Sequence, residues 1–130
     1  MSRKIAIGVG CRKGCPAAAI EAVVRQALER APMAERLGLF TIRDKSGEAG
    51  TVDAAALLGL DLYFLTRDAL REQGPFIATP SIAAANRFGI PSVAEAAALA
   101  GAGPGSILIV ARIAGRGATC AIAESRKDPP

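Results

Sequence analysis

A short apolar run, a glycine-rich turn and a long helical stretch open this chain, and that order commits it to alternating strands and helices. Ile5-Ala6-Ile7 reads as a buried strand, and Gly-Val-Gly-Cys-Arg-Lys-Gly-Cys-Pro at 8–16 follows it directly. Beyond Pro16, the residues Ala19, Ile20, Val23, Val24, Ala27, Leu28 and Ala31 recur at helical spacing, with Glu21, Arg25, Glu29 and Arg30 on the opposite face. Pro16 suits a first helical position, where no N–H is needed, and Pro32 ends the helix. Gly8, Gly10 and Gly14 allow a tight turn with uncovered N–H groups, and Arg12 and Lys13 stand just ahead of a helix N-terminus. The turn reads as a preformed anion cradle. A plain strand-to-helix connection explains the same glycines with no ligand at all.

The alternation continues. A strand is expected over 4–8 and another over 39–42. The polar loop 43–50 then opens into a helix capped by Thr51 or Asp53, with its body at 54–58 and Gly59 closing it. A third strand covers 62–65, Thr66 caps a brief helix over 67–71, and Gln73-Gly74-Pro75 breaks it. Thr79-Pro80-Ser81 starts a helix that ends at Gly89. Ser92-Val93-Ala94-Glu95 forms a capping box for an alanine-rich helix reaching about residue 100, so Ser92 and Glu95 have a sufficient structural explanation. Strands over 107–113 and 118–123 flank Gly115-Arg116-Gly117, a hairpin signal that makes the final strand antiparallel. The pattern predicts an α/β fold, a three-layer α/β/α sandwich with a mostly parallel, roughly five-stranded sheet and an antiparallel C-terminal hairpin. One domain over 1–124 and a flexible tail over 125–130 account for the chain.

Composition narrows the chemistry. There is no Trp and one Tyr, so recognition of nucleic acid by stacked aromatics is not expected. The net charge of +4 is spread along the chain and suits an acidic small molecule better than DNA. No histidine occurs, which excludes Ser-His-Asp and Cys-His nucleophilic machinery and histidine-based metal sites. No metal and no cofactor is called for. Three cysteines, without a signal peptide or a run long enough to span a bilayer, lead us to expect a cytoplasmic protein with reduced thiols and no membrane partner.

Ligands of such sheets bind beyond the carboxyl ends of the strands. That edge gathers Cys11, Arg12, Lys13 and Cys15, then Asp44, Lys45 and Glu48, then Thr66 and Arg67, with Thr79 to Ser81 joining them. Cations outnumber carboxylates there. With no histidine present, Lys45 and Glu48 in their glycine-flanked loop are the candidates for acid–base work, and an ion pair that only shapes the loop is the alternative. Two rival readings start from the same residues. Gly8-x-Gly10-x-x-x-Gly14 with Asp44 approximates a dinucleotide fingerprint, although its spacing is off. Cys15 at a helix N-terminus beside Arg12 and Lys13 predicts a lowered thiol pKa and a redox role with Cys11. Cys120, within a strand, reads as core. A purely structural role would explain the alanine-rich helices and leave the gathered cations unexplained.

Three motifs and a final strand carry a family resemblance. Gly-Val-Gly-Cys-Arg-Lys-Gly at 8–14, Thr-Ile-Arg-Asp-Lys-Ser-Gly-Glu-Ala-Gly at 41–50, Gly-Ile-Pro-Ser-Val-Ala-Glu-Ala-Ala-Ala-Leu at 89–99 and Ala-Thr-Cys-Ala-Ile-Ala at 118–123 resemble, in order, those of the CobE/CbiG C-terminal domain family of cobalamin biosynthesis. The resemblance implies work on the corrin ring and, lacking the N-terminal domain of the fused members, the stand-alone CobE type. Fused members open a lactone on a cobalt-precorrin with loss of acetaldehyde. Thr51 departs from a common Leu, and Gly47 from a frequent acidic residue. The implied ligand is a polycarboxylate corrin or precorrin, with other enzymes of the corrin pathway as partners. The implied binding set is Gly8, Gly10, Cys11, Arg12, Lys13, Gly14, Thr41, Ser81, Ser92 and Glu95. A hydrolase acting on the precorrin lactone, through Lys45 and Glu48, is the enzymatic alternative.

Overall fold

Residue alternation in the first strand decides how the layers stack. The computed structural model describes residues 3–81, 85 and 88–126. β1 (Lys4–Cys11) sends Ile5, Ile7 and Val9 to one face, where they pack on Ile20, Val23 and Val24 of α1 (Ala17–Glu29). Its other face carries Ala6 and Gly8 and lies under α4 (Val93–Ala102). A Cβ on Gly8 would sit 2.0 Å from the Ala94 carbonyl oxygen and 2.5 Å from the Ala98 nitrogen. Glycine here lets helix backbone lie directly on the strand, and the buried Ala94, Ala97 and Ala98 of α4 serve the same close approach.

Between these come β2 (Glu35–Ile42), a 3-10 turn (Arg43–Lys45), α2 (Ala49–Leu58), β3 (Leu62–Leu65) and α3 (Arg67–Arg71). β4 (Ile107–Ala114) and β5 (Ala118–Glu124) follow α4. The five-stranded sheet has the order β3-β2-β1-β5-β4. β1–β2 and β2–β3 are parallel, while β1–β5 and β4–β5 are antiparallel. β5 alone therefore runs against the others, and the α/β three-layer expectation holds with a more mixed sheet. α1 and α2 cover one face, α3 and α4 the other.

Several boundaries move. β1 runs three residues past the expected end, because Val9, Gly10 and Cys11 pair with Cys120, Thr119 and Ala118 of β5. Gly8 and Gly10 are thus strand residues, and the turn proper starts at Arg12. The N-cap of α2 is Glu48, ahead of the expected Thr51 or Asp53, and Thr51 is fully buried. Thr66 does cap α3, its hydroxyl accepting the Ala69 N–H at 3.2 Å. Of the helix expected between Thr79 and Gly89, residues 82–84, 86 and 87 lie outside the described residues; Ala85 N–H bonds the Ser81 carbonyl at 3.0 Å, and Gly89 N–H the Ala85 carbonyl at 2.9 Å. At the C-terminus Ser125 N–H bonds the Lys4 carbonyl at 2.9 Å, so pairing to β1 outlasts the last strand. Residues 127–130 of the expected tail lie outside the described set. Among the described residues, no helix is long and apolar enough to cross a membrane.

Candidate functional site

Because β5 returns beside β1, the β4–β5 turn at 115–117 lies at the same edge as the carboxyl ends of β1 to β3. A cleft of about 310 Å³ opens there. Gly10, Cys11 and Arg12 form one wall, Ser81, Phe88, Ser92 and Val93 another, and Arg112 with the hairpin from Ala114 to Thr119 the third. The Arg12 N–H donates to the Gly117 carbonyl at 2.8 Å, which ties the first wall to the hairpin.

Arg112 reaches the cleft through an irregularity. β4 slips register against β5 between Val110 and Ile113, which leaves one extra residue on β4. The Arg112 N–H turns to Glu95 Oε2 at 2.8 Å. Glu95 Oε1 accepts from the Ala78 and Thr79 N–H groups at 2.8 and 2.9 Å, so one fully buried carboxylate pins the segment before Ser81 and the bulge carrying Arg112. Burial pushes this carboxyl up, but the bonds from Arg112, Thr79 and Ala78 together outweigh it and hold it below its usual value. The capping box is half realised. The Ser92 hydroxyl accepts the Glu95 N–H at 3.3 Å, while the Glu95 side chain serves neighbouring segments. Among the described residues, the guanidinium groups of Arg12 and Arg112 have no carboxylate partner.

A second hollow, about 410 Å³, lies across the 12–14 turn and is lined by Lys13, Gly14, Asp44, Lys45, Gly47 and Glu48. Both Glu48 oxygens stand 3.1 Å from the Gly14 nitrogen and accept its N–H. Gly14 has φ +76°, a conformation that glycine adopts at no steric cost. Lys45 is only 5% exposed, and its Nζ lies 4.0 Å from Glu48 Oε1. Asp44 is committed elsewhere, paired with Arg67 at 2.5 Å, and the Arg67 bond holds its carboxyl below the usual range. Arg67 in turn lies 5.7 Å from the centre of the Phe88 ring.

The anion cradle of backbone N–H groups does not form as expected. Arg12 N–H is taken by Gly117, Gly14 N–H by Glu48, and Cys15 N–H by the Arg12 carbonyl at 3.1 Å. What the edge offers a ligand is side-chain cations. Of the expected binding residues, Gly10, Cys11, Arg12, Ser81 and Ser92 line the cleft, and Lys13 and Gly14 line the hollow beside Lys45 and Glu48. Three do not reach either opening. Gly8 lies under α4, Thr41 is fully buried and donates its hydroxyl to the Val9 carbonyl at 2.8 Å, and Glu95 is sealed by the backbone it binds. Ser92 lines the cleft but is 1% exposed.

The thiols also depart from expectation. Cys15 is buried, and burial first, then Cys11 and Glu48, push its thiol up against the smaller opposing pull of Arg12 and Lys45. That removes the basis for a reactive thiolate. Cys120 is core as expected, its thiol pushed up by burial to about 12. The dinucleotide reading loses its parts as well, since Gly8 and Gly10 are in the ladder and Asp44 is held by Arg67. Sequence reasoning missed Arg112, Phe88, Val93 and the 115–117 turn. The signal was present in the hairpin: a last strand antiparallel to its neighbours brings the turn before it to the edge where parallel strands end.

Fold and edge together define a class, a three-layer α/β/α domain with one reversed strand and a cation-lined carboxyl edge. Residues 5–123 match the family described as Cobalamin synthesis G C-terminus, and the chain belongs to that family. It is similar to Protein CobE of Sinorhizobium sp, 33% identical over 121 residues that cover 92% of this chain and 79% of that protein. Among solved structures it is similar to CobE, described as a protein from the cobalamin (vitamin B12) biosynthetic pathway, with TM-score 0.85 and 32% identity over 95% of this chain and 92% of that one. It is also similar to the cobalamin biosynthesis protein chiG of Agrobacterium tumefaciens str. C58, with TM-score 0.72 and 38% identity over 95% and 99% of the two chains.

Proposed function

We propose that this chain, within cobalamin biosynthesis, binds a polycarboxylate corrin or precorrin intermediate at the carboxyl edge of its sheet. The observation that carries the reading is that Arg12 and Arg112, whose guanidinium groups have no carboxylate partner among the described residues, line one cleft together with the apolar side chains of Phe88 and Val93. Planar guanidinium forks suit the acetate and propionate arms of such a ring, and the apolar wall suits its macrocycle. At about 310 Å³ the cleft stands at the small end of ligand pockets, so a macrocycle seats by one edge and leaves the rest outside. Hydrogenobyrinic acid added in reducing buffer is expected to change its visible spectrum saturably, with affinity falling as salt rises. An unchanged spectrum with this acid and with precorrins overturns the reading.

A second reading makes the chain a hydrolase acting on the precorrin lactone, with Lys45 and Glu48 as its acid–base pair. The observation that favours it is the 4.0 Å approach of these two groups at the wall of a hollow beside the cleft. Against it stands the engagement of both Glu48 oxygens with Gly14, which gives that carboxylate a loop-shaping task of its own.

A further inference from the structure

Lys45 is a cation whose stem is buried and whose head is only loosely paired. It is 5% exposed, its ammonium carries three donors, and among the described residues none of them finds an acceptor. Glu48 Oε1, at 4.0 Å, is well beyond the 2.7–2.9 Å of a charge-assisted hydrogen bond, and both Glu48 oxygens already face the Gly14 N–H. Asp44, the other acid of this hollow, is bound to Arg67. Among the described residues no side-chain nitrogen or oxygen is both fully buried and without a hydrogen-bond partner, so the Lys45 Nζ keeps some solvent contact although its stem is buried, and its donors are open to an acceptor that enters the hollow. Lys45 lines the hollow, so a group entering there is placed to supply the missing acceptor.

The hollow and the cleft are neighbours along the chain. Cys11 and Arg12 line the cleft, and the next two residues, Lys13 and Gly14, line the hollow. With consecutive Cα atoms about 3.8 Å apart, one turn of backbone separates them. We infer that the hollow is a second anion seat, taking one carboxylate arm of the ligand whose edge occupies the cleft, with the Lys45 ammonium as its charge and the Gly14–Glu48 contact fixing its wall. The inference rests on the corrin-binding reading and adds to it a place, a residue and a group on the ligand.

The test pairs two ligands with one substitution. Hydrogenobyrinic acid carries free carboxylates; the same ring with its side-chain acids converted to amides does not. Lys45→Met is expected to weaken binding of the acid about tenfold and of the amide by less than about twofold. Equal losses for both ligands make Lys45 a structural residue and overturn the seat. If the wild-type chain binds neither ligand, the corrin-binding reading fails and the seat with it; binding of the acid with no effect of Lys45→Met sinks the seat alone. Should the variant not fold, or the amide bind too weakly to measure, the wild-type chain decides by nitrogen-15 NMR. The Lys45 ammonium resonance is expected to shift and its proton exchange to slow when the acid is added. An unaltered Lys45 signal at saturating acid overturns the proposal.

Discussion

Two glutamates at helix starts, Glu95 in α4 and Glu48 before α2, show how similar placements come to differ. Glu95 is fully buried and accepts backbone N–H groups from Ala78, Thr79 and Arg112, segments that its own helix does not touch in sequence. Glu48 is half-buried, accepts a single N–H from Gly14 and stands near one lysine. The first is a fixed joint that shapes the cleft from behind. The second closes a turn at the surface and leaves its lysine neighbour short of an acceptor. Saturation by backbone marks a carboxylate as structural, whereas incomplete pairing beside an opening marks a region with capacity left for a ligand.

The sharpest way to break this contrast is to remove the joint. Glu95→Ala leaves three backbone donors in a sealed site without their acceptor and is expected to cost about 3 kcal/mol or more in urea denaturation. A loss under about 1 kcal/mol would show that water replaces the carboxylate and that the region is not a joint.

Acid should expose the same difference. The folded-state pKa of Glu95 lies below its unfolded value, so its contribution to stability is present above the unfolded pKa and is lost as pH falls through the folded one. The wild type is therefore expected to lose more stability than Glu95→Gln as pH drops below about 5. Asp44 and Glu124 are also held low, by Arg67 and Arg3, but both remain in the variant and cancel in the comparison. Parallel pH profiles for the two proteins would contradict the assignment.

Smaller again is the effect of the cleft cation that the joint positions. Arg112→Ala is expected to weaken hydrogenobyrinic acid binding about tenfold while changing stability by about 0.5 kcal/mol or less, because the backbone N–H that Glu95 holds is kept. A large fall in melting temperature with normal binding would make Arg112 structural. Glu48→Gln should have a similarly small effect on folding, about 0.5 kcal/mol or less, since the amide oxygen can still accept from Gly14 and at 4.0 Å its pairing with Lys45 is loose. Turnover in a reconstituted pathway gives this variant its use: undiminished corrinoid turnover excludes Glu48 as a catalytic group, and lost turnover with intact binding supports the hydrolase reading.

What the sequence determined by itself was the local and the periodic. The helical spacing from Ala19 to Leu28, the Thr66 and Ser92 caps, the left-handed Gly59 and the Gly115-Arg116-Gly117 hairpin each depend on neighbours a few residues away, and each is found in the structure. Order and spacing of the motifs also sufficed for the family. The fate of individual polar groups was settled by residues distant along the chain. Gly14 meets Glu48 across 34 positions, Thr41 meets Val9 across 32, and the Cys15 thiol turns to the Arg116 carbonyl across 101. Hence the glycines read as an anion cradle became strand, helix seat and a turn already filled, Lys45 moved from a solvated loop to a buried wall, and Arg112 entered the site on a bulge. Turns and caps are short-range hydrogen bonds that composition can announce; whether a donor is left over for a ligand depends on every segment packed around it, and only the tertiary structure decides that.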